Sequence, residues 1–128
     1  LAVPAAFVAL LTGGAGLGAL GIDLPAVEPM IAASVIVLGL LTAFSVKVPT
    51  AVAAGLVGFF ALFHGHAHGA EMPELGSPVL YFLGFVTATA ALHAAGLGLG
   101  LVAGRADGRI ARIAGGLVAA FGVALAAL

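Results

Sequence analysis

Long stretches without a charged side chain are the feature that most constrains the fold of this chain. A transmembrane helix needs about 20 consecutive apolar residues to cross roughly 30 Å of hydrocarbon. The 128 residues are 63% hydrophobic and only 7% charged, with a mean hydropathy of +1.32. A water-soluble domain carries several times more charge. We therefore predict that the lipid bilayer is the solvent of this protein.

Five uncharged segments are long enough to be membrane-spanning helices. They are residues 4–21, 30–46, 49 to 64 or a turn beyond, a helix within 75–104, and 110–128. None shows the apolar/polar alternation of a lipid-facing β-strand. We predict an all-α, polytopic transmembrane bundle that forms a single domain over residues 1–128.

The basic residues lie in the second and fourth connections between these segments. They are Lys47, Arg105, Arg109 and Arg112. The positive-inside rule makes those connections cytoplasmic and the first and third connections external. The external side then carries three histidines and the acids Asp23, Glu28, Glu71 and Glu74.

Several function classes are excluded by composition. The chain has no cysteine, so it forms no disulfide and no thiolate metal site. Four basic residues are too few for a nucleic-acid surface. No catalytic grouping or phosphate-binding loop is present, so we expect no enzyme activity and no covalent cofactor. The motif GLGALG (16–21) matches a dinucleotide-binding pattern, but inside a membrane span it indicates helix packing.

The stretch FHGHAHGAE (63–71) is the main concentration of polar chemistry. If the third helix continues through Glu71, then His64, His68 and Glu71 are spaced i, i+4 and i+7 on one stripe, and His66 points away. Two imidazoles and a carboxylate form a partial shell suited to Ni²⁺, Co²⁺ or Zn²⁺.

Two alternatives remain open for this stretch. Gly65 and Gly69 could unwind the helix, so that all three histidines face an outer vestibule and collect ions loosely. The histidines could also be hydrated interfacial side chains without a ligand. Ionisable groups inside a membrane are costly, which favours a functional role.

A fourth histidine, His93, lies deep in the fourth segment, about 18 Å of helix from Arg105. It is either a second station for an ion or an imidazole bonded to a neighbouring helix with help from Thr89. Glu28 either supports the start of the second helix through the helix dipole or belongs to an ion entrance. Asp23 and Glu74 are loop residues with a candidate role in attracting ions.

Three stretches together resemble the HupE/UreJ family of membrane proteins. They are FFALFHGHAHGAEMP (59–73), VEPMIAASVIVLGLLTA (27–43) and YFLGFVTATAALHAAG (81–96). The resemblance implies a secondary permease for nickel and cobalt in a bacterial inner membrane. The ligands that it implies are His64, His66, His68, Glu71 and His93, and Glu28 matches an acid of the family.

The sequence departs from the family at its start. Family members usually begin with another helix that carries His-Pro and Asp-His motifs, and these are absent here. Either the chain begins after that helix, or it is a reduced relative that no longer transports. The alternative to a permease is a structural or accessory subunit of a larger respiratory or photosynthetic membrane complex. A third hypothesis is that His93 and a partner histidine ligate a haem.

Overall fold

Five α-helices account for the regular structure in the described part of the chain. The computed structural model describes residues 1–74, 76–106 and 108–128, without the side chains at positions 105 and 106. The helices are α1 (Ala2–Ala19), α2 (Val27–Ala43), α3 (Thr50–Ala70), α4 (Pro78–Ala106) and α5 (Gly108–Ala126). The all-α prediction is confirmed. The predicted orientation depends in part on Arg105, whose side chain lies outside the described residues.

Four of these helices have the length and apolar composition needed to cross a membrane. They are α1, α3, α4 over Pro78–Gly104, and α5. The apolar helix α2 is shorter, with 17 residues, at the lower end of the length that spans hydrocarbon. These helices support a polytopic membrane protein.

Two helices are each followed, two residues after their last residue, by a residue in the left-handed backbone region. After α1 this residue is Gly21, with φ 72°, and the Ile22 N–H donates to the Leu17 carbonyl at 3.0 Å. This is the Schellman arrangement that satisfies carbonyls at a helix end. After α2 the same position is taken by Ser45, with φ 50°, where the Cβ atom makes the conformation less favourable than it is for glycine.

The first of two compact units comprises residues 1–27 and 49–94. In it, α1 and α3 approach so closely that backbone touches backbone. A Cβ atom on Gly14 would collide with the Leu62 carbonyl, and one on Gly65 would collide with the Leu11 carbonyl. Small residues permit such contacts between transmembrane helices. The packing role predicted for GLGALG (16–21) is confirmed at Gly18, where a Cβ atom would collide with the His66 carbonyl.

The second unit comprises residues 28–48 and 95–128 and contains another close helix pair. A Cβ atom on Gly39 of α2 would lie 2.6 Å from the Ala119 amide nitrogen of α5. One turn further along, at the C-terminal end of α2, the Arg112 Nε–H donates to the Ala43 carbonyl at 2.9 Å. Each unit thus has its own glycine-mediated contact, and the single-domain organisation stays a prediction.

Candidate metal-ion site

The histidine-rich stretch is helical throughout, because α3 continues to Ala70 and Glu71 is its C-cap residue. Gly65 and Gly69 therefore do not unwind the helix. Their missing side chains instead let the α1 backbone approach, since a Cβ atom on Gly69 would lie 2.7 Å from the Ala15 carbonyl carbon. Of the two backbone geometries open at the sequence level, the structure has the continuous helix.

A cavity of about 160 Å³ in the first unit brings three of the four histidines together. Its lining comes from α1, α3 and α4: Phe7, Leu11, His64, His68, Phe85, Thr89, Leu92 and His93. Most of the wall is apolar, and the imidazoles are its titratable groups among the described residues. A volume of this size has room for a few water molecules. The cavity can therefore offer nitrogen ligands to a small hydrated cation.

His93 is oriented by a hydrogen bond within its own helix. Its Nδ1–H donates to the Thr89 carbonyl at 3.1 Å, and its ring lies against Phe7, with the ring centroids 4.3 Å apart. A histidine that donates from Nδ1 keeps its lone pair on Nε2, which is the usual arrangement around a metal-binding imidazole. Thr89 therefore contributes through its backbone and selects the tautomer of His93.

His68 is held between α3 and α4 by aromatic side chains. Its ring is tilted against Phe85, with centroids 5.2 Å apart, and its backbone carbonyl accepts a hydrogen bond from the Tyr81 hydroxyl at 2.7 Å. Tyr81 and Phe85 are stacked, with an angle of 4° between the ring planes. These contacts fasten the beginning of α4 to the end of α3, which positions one wall of the cavity.

His66 points away from the cavity, as the helical spacing predicts. Its Nε2–H donates to the Ile22 carbonyl at 2.6 Å, and only 7% of the residue is exposed. Its Nδ1 is buried and has no hydrogen-bond partner among the described residues. This hydrogen bond joins α3 to the connection that follows α1. It is made to Ile22, the residue whose N–H closes the Schellman arrangement. The ligand role implied for His66 stays a prediction.

The acidic residues lie outside the histidine cavity. Glu71 is exposed directly after α3, and Asp23 and Glu74 are exposed in connections. Glu28 belongs to the second unit, where it lines a different cavity of about 330 Å³ with residues of α2 and the end of α5, including Leu125. Their roles in ion entry stay predictions.

No closed metal centre is formed by the described side chains. Among them, no three histidine, aspartate or glutamate residues are close enough together to hold one metal ion. His64 and His68 of α3 and His93 of α4 nevertheless line the same cavity. They surround one space without converging as a closed set of ligands.

Sequence reasoning missed the aromatic and apolar residues of the cavity. On α4, Tyr81, Phe85, Thr89 and His93 recur at every fourth position, so helical periodicity alone could have placed them on one face. Phe7 on α1 carried no such signal. Phe7 and His93 are far apart in the sequence, and only the tertiary fold brings them into contact.

Comparison with known proteins identifies the family of the chain. The family model described as HupE / UreJ protein matches residues 1–125. This chain belongs to the HupE/UreJ family. The resemblance found in the three sequence stretches is thereby confirmed, and the family is associated with nickel and cobalt transport.

A curated HupE/UreJ relative is also similar over most of the chain. Protein HupE of Rhizobium leguminosarum bv. viciae is 53% identical over 124 residues, which cover 96% of this chain. The chain spans 65% of the length of that relative. No solved structure matches the chain.

Proposed function

We propose that this chain forms part of a secondary permease that carries Ni²⁺ or Co²⁺ across a bacterial inner membrane, with Zn²⁺ as a further candidate cargo. One observation carries the proposal. His64, His68 and His93, from two helices of an apolar unit, line a single cavity. Imidazole is a good ligand for these borderline ions, and no softer ligand such as cysteine is present to select Cu(I).

The ion passes along the cavity by exchanging water for imidazole nitrogen. The hydrogen bond from His93 Nδ1 to Thr89 supports coordination through Nε2. Because the imidazoles do not converge on one point, each holds the ion incompletely and releases it readily. Incomplete coordination favours transport, since an ion must leave each site as well as enter it.

The acids and His66 have supporting roles in this proposal. Glu71, Asp23 and Glu74 attract cations at the external side, and Glu28 contributes a carboxylate at the start of α2. Glu71 is the most direct candidate, because it follows His68 by three residues and is exposed where α3 ends. The Nε2–H of His66 donates to the Ile22 carbonyl, so Nδ1 is the nitrogen that could serve as a ligand.

The proposed orientation places Lys47 and the arginines in the cytoplasm and the histidine end of α3 towards the periplasm. The basis is the distribution of basic residues. The sequence contributes no cysteine, so single cysteines at Lys47 and Glu74 can be labelled without a background from this chain. In intact cells with a permeabilised outer membrane, a membrane-impermeant maleimide should label Glu74→Cys and spare Lys47→Cys. The reverse pattern would invert the proposed topology.

Metal uptake by cells that express the complete gene tests the permease itself. We expect the wild type to accumulate radioactive nickel or cobalt. In His64→Ala, His68→Ala and His93→Ala, metal uptake should fall at least about tenfold, as is typical when a group of a metal site is removed. Gly55→Ala in α3 is the matched control and should keep the uptake of wild type, because no side chain or neighbouring helix lies within 4 Å of the Cβ position there. Membrane levels are measured for every variant.

Two outcomes would contradict the proposal. If the wild type accumulates neither metal, the chain is better explained as a structural or accessory subunit, and copurifying proteins identify its complex. If uptake persists in the three alanine variants, transport does not use this cavity.

A further inference from the structure

A second cavity, of about 320 Å³, lies in the other unit beside the beginning of α5. It is lined by Ala43 at the end of α2 and by Arg109, Arg112 and Ile113 of α5. None of these residues belongs to the histidine cavity. Two guanidinium groups, one helical turn apart, thus border a space that the proposed transport does not use.

Arg112 is anchored at this cavity through the Nε atom of its guanidinium group. Its Nε–H donates to the Ala43 carbonyl at 2.9 Å, which satisfies a carbonyl at the C-terminal end of α2. The two terminal nitrogens of an arginine carry four further N–H donors. A planar guanidinium held at Nε is well suited to bind an oxyanion with its remaining donors.

We propose that Arg109 and Arg112 form a binding site for the phosphate group of an anionic phospholipid. The α5 helix is a candidate membrane span that begins at Gly108, so both arginines lie at the boundary where lipid headgroups are found. The segment 105–112 contains three arginines and one aspartate, which gives it a net positive charge. Basic pockets between transmembrane helices bind anionic headgroups in this way.

The surroundings of the arginines favour a lipid over a free phosphate ion. Ile110 and Ile113 are 58% and 64% exposed, and Phe44, directly after α2, is 69% exposed. These apolar side chains can contact acyl chains while the arginines hold the headgroup. A soluble anion would gain nothing from them.

Thermal unfolding of the purified protein in detergent tests the site. The probes are phosphatidylglycerol, phosphatidylcholine with the same acyl chains, and inorganic phosphate. We expect phosphatidylglycerol to raise the melting temperature of wild type more than the other two do. For Arg109→Gln, the concentration of phosphatidylglycerol that gives half of the shift should rise about tenfold, as expected when a charge-assisted hydrogen bond is lost.

Two further variants separate a specific site from general charge and from folding defects. Lys47→Gln removes a basic residue of the same unit that does not line the cavity, and it should respond to phosphatidylglycerol as wild type does. Arg112→Lys keeps the charge and a donor for Ala43 but loses the planar fork, so it should fold and bind the lipid more weakly. The melting temperature without lipid is the reference for each variant.

Three results would overturn the proposal. If Lys47→Gln and Arg109→Gln weaken the binding of phosphatidylglycerol equally, the attraction is diffuse and electrostatic. Equal stabilisation by phosphatidylcholine would indicate apolar contact alone. Stabilisation by inorganic phosphate that matches phosphatidylglycerol would assign the arginines to a soluble anion. The test does not depend on metal transport, so it stands apart from the proposed permease.

Discussion

Replacement of Gly65 by alanine should separate α1 from α3 and disable the cavity between them. The new Cβ atom would collide with the Leu11 carbonyl oxygen and lie 2.7 Å from the carbonyl carbon. This distance is about 0.7 Å short of the 3.4 Å at which ordinary contact begins. The clashing atoms belong to the α1 backbone, so no side-chain rotation can relieve the contact.

The energetic cost of this substitution follows from the overlap. Overpacking in a well-packed core typically costs 1–3 kcal/mol, and the better helix propensity of alanine offsets about 1 kcal/mol at most. We expect a net loss of about 1–2 kcal/mol and a melting temperature several degrees lower. Phe7 and Leu11 would move away from His64 with α1, and a displacement of about 1 Å can lower a rate about a hundredfold.

Thermal unfolding in detergent and nickel uptake measure the two effects. The matched control is Gly55→Ala in the same helix, because no atom lies within 4 Å of the Cβ position there. The control should keep the melting temperature and uptake of wild type. A Gly65→Ala protein that melts and transports like wild type would refute the close approach of the α1 and α3 backbones.

Three further predictions concern other contacts. His66→Ala should lose about 1–3 kcal/mol of stability, because the hydrogen bond to the Ile22 carbonyl and the packing of the buried ring are both lost, whereas His66→Gln keeps a donor and should retain most of it; equal melting temperatures for the two variants would contradict this. Ser45→Gly should stabilise the protein by about 0.5–1 kcal/mol and raise the melting temperature slightly, because glycine fits the left-handed conformation after α2. A lower melting temperature would count against this prediction. Nickel uptake should fall as the external medium becomes acidic, since a protonated imidazole cannot bind the ion, and a pH-independent uptake would exclude histidine ligands.

The sequence was sufficient to predict the helices but not their partners. Charged residues and prolines separate the apolar runs, and in hydrocarbon a run must satisfy its backbone polar groups internally, so each run becomes a helix. Helical spacing also placed His64 and His68 on one face and turned His66 away from them. Helix formation and the face on which a side chain lies depend on residues close in sequence, so both can be predicted from the sequence.

The role of each glycine could not be read from the sequence. In the motif GLGALG, Gly18 packs against the carbonyl of His66, Gly21 ends the helix with φ 72°, and Gly16 faces open space. Gly96 and Gly98 in the similar stretch of α4 also face open space. A glycine permits close approach, but whether another backbone occupies the space depends on how the helices pack.

The cavity itself was decided by tertiary structure. Phe7 and His93 are far apart in the sequence, yet their ring centroids lie 4.3 Å apart. The bond from His66 to Ile22 likewise joins residues 44 positions apart. The sequence alone determined which side chains are polar and which helix face they occupy, because these are local properties of the chain. Only the packing of α1, α3 and α4 decided which histidines line one cavity, because that depends on contacts between distant segments.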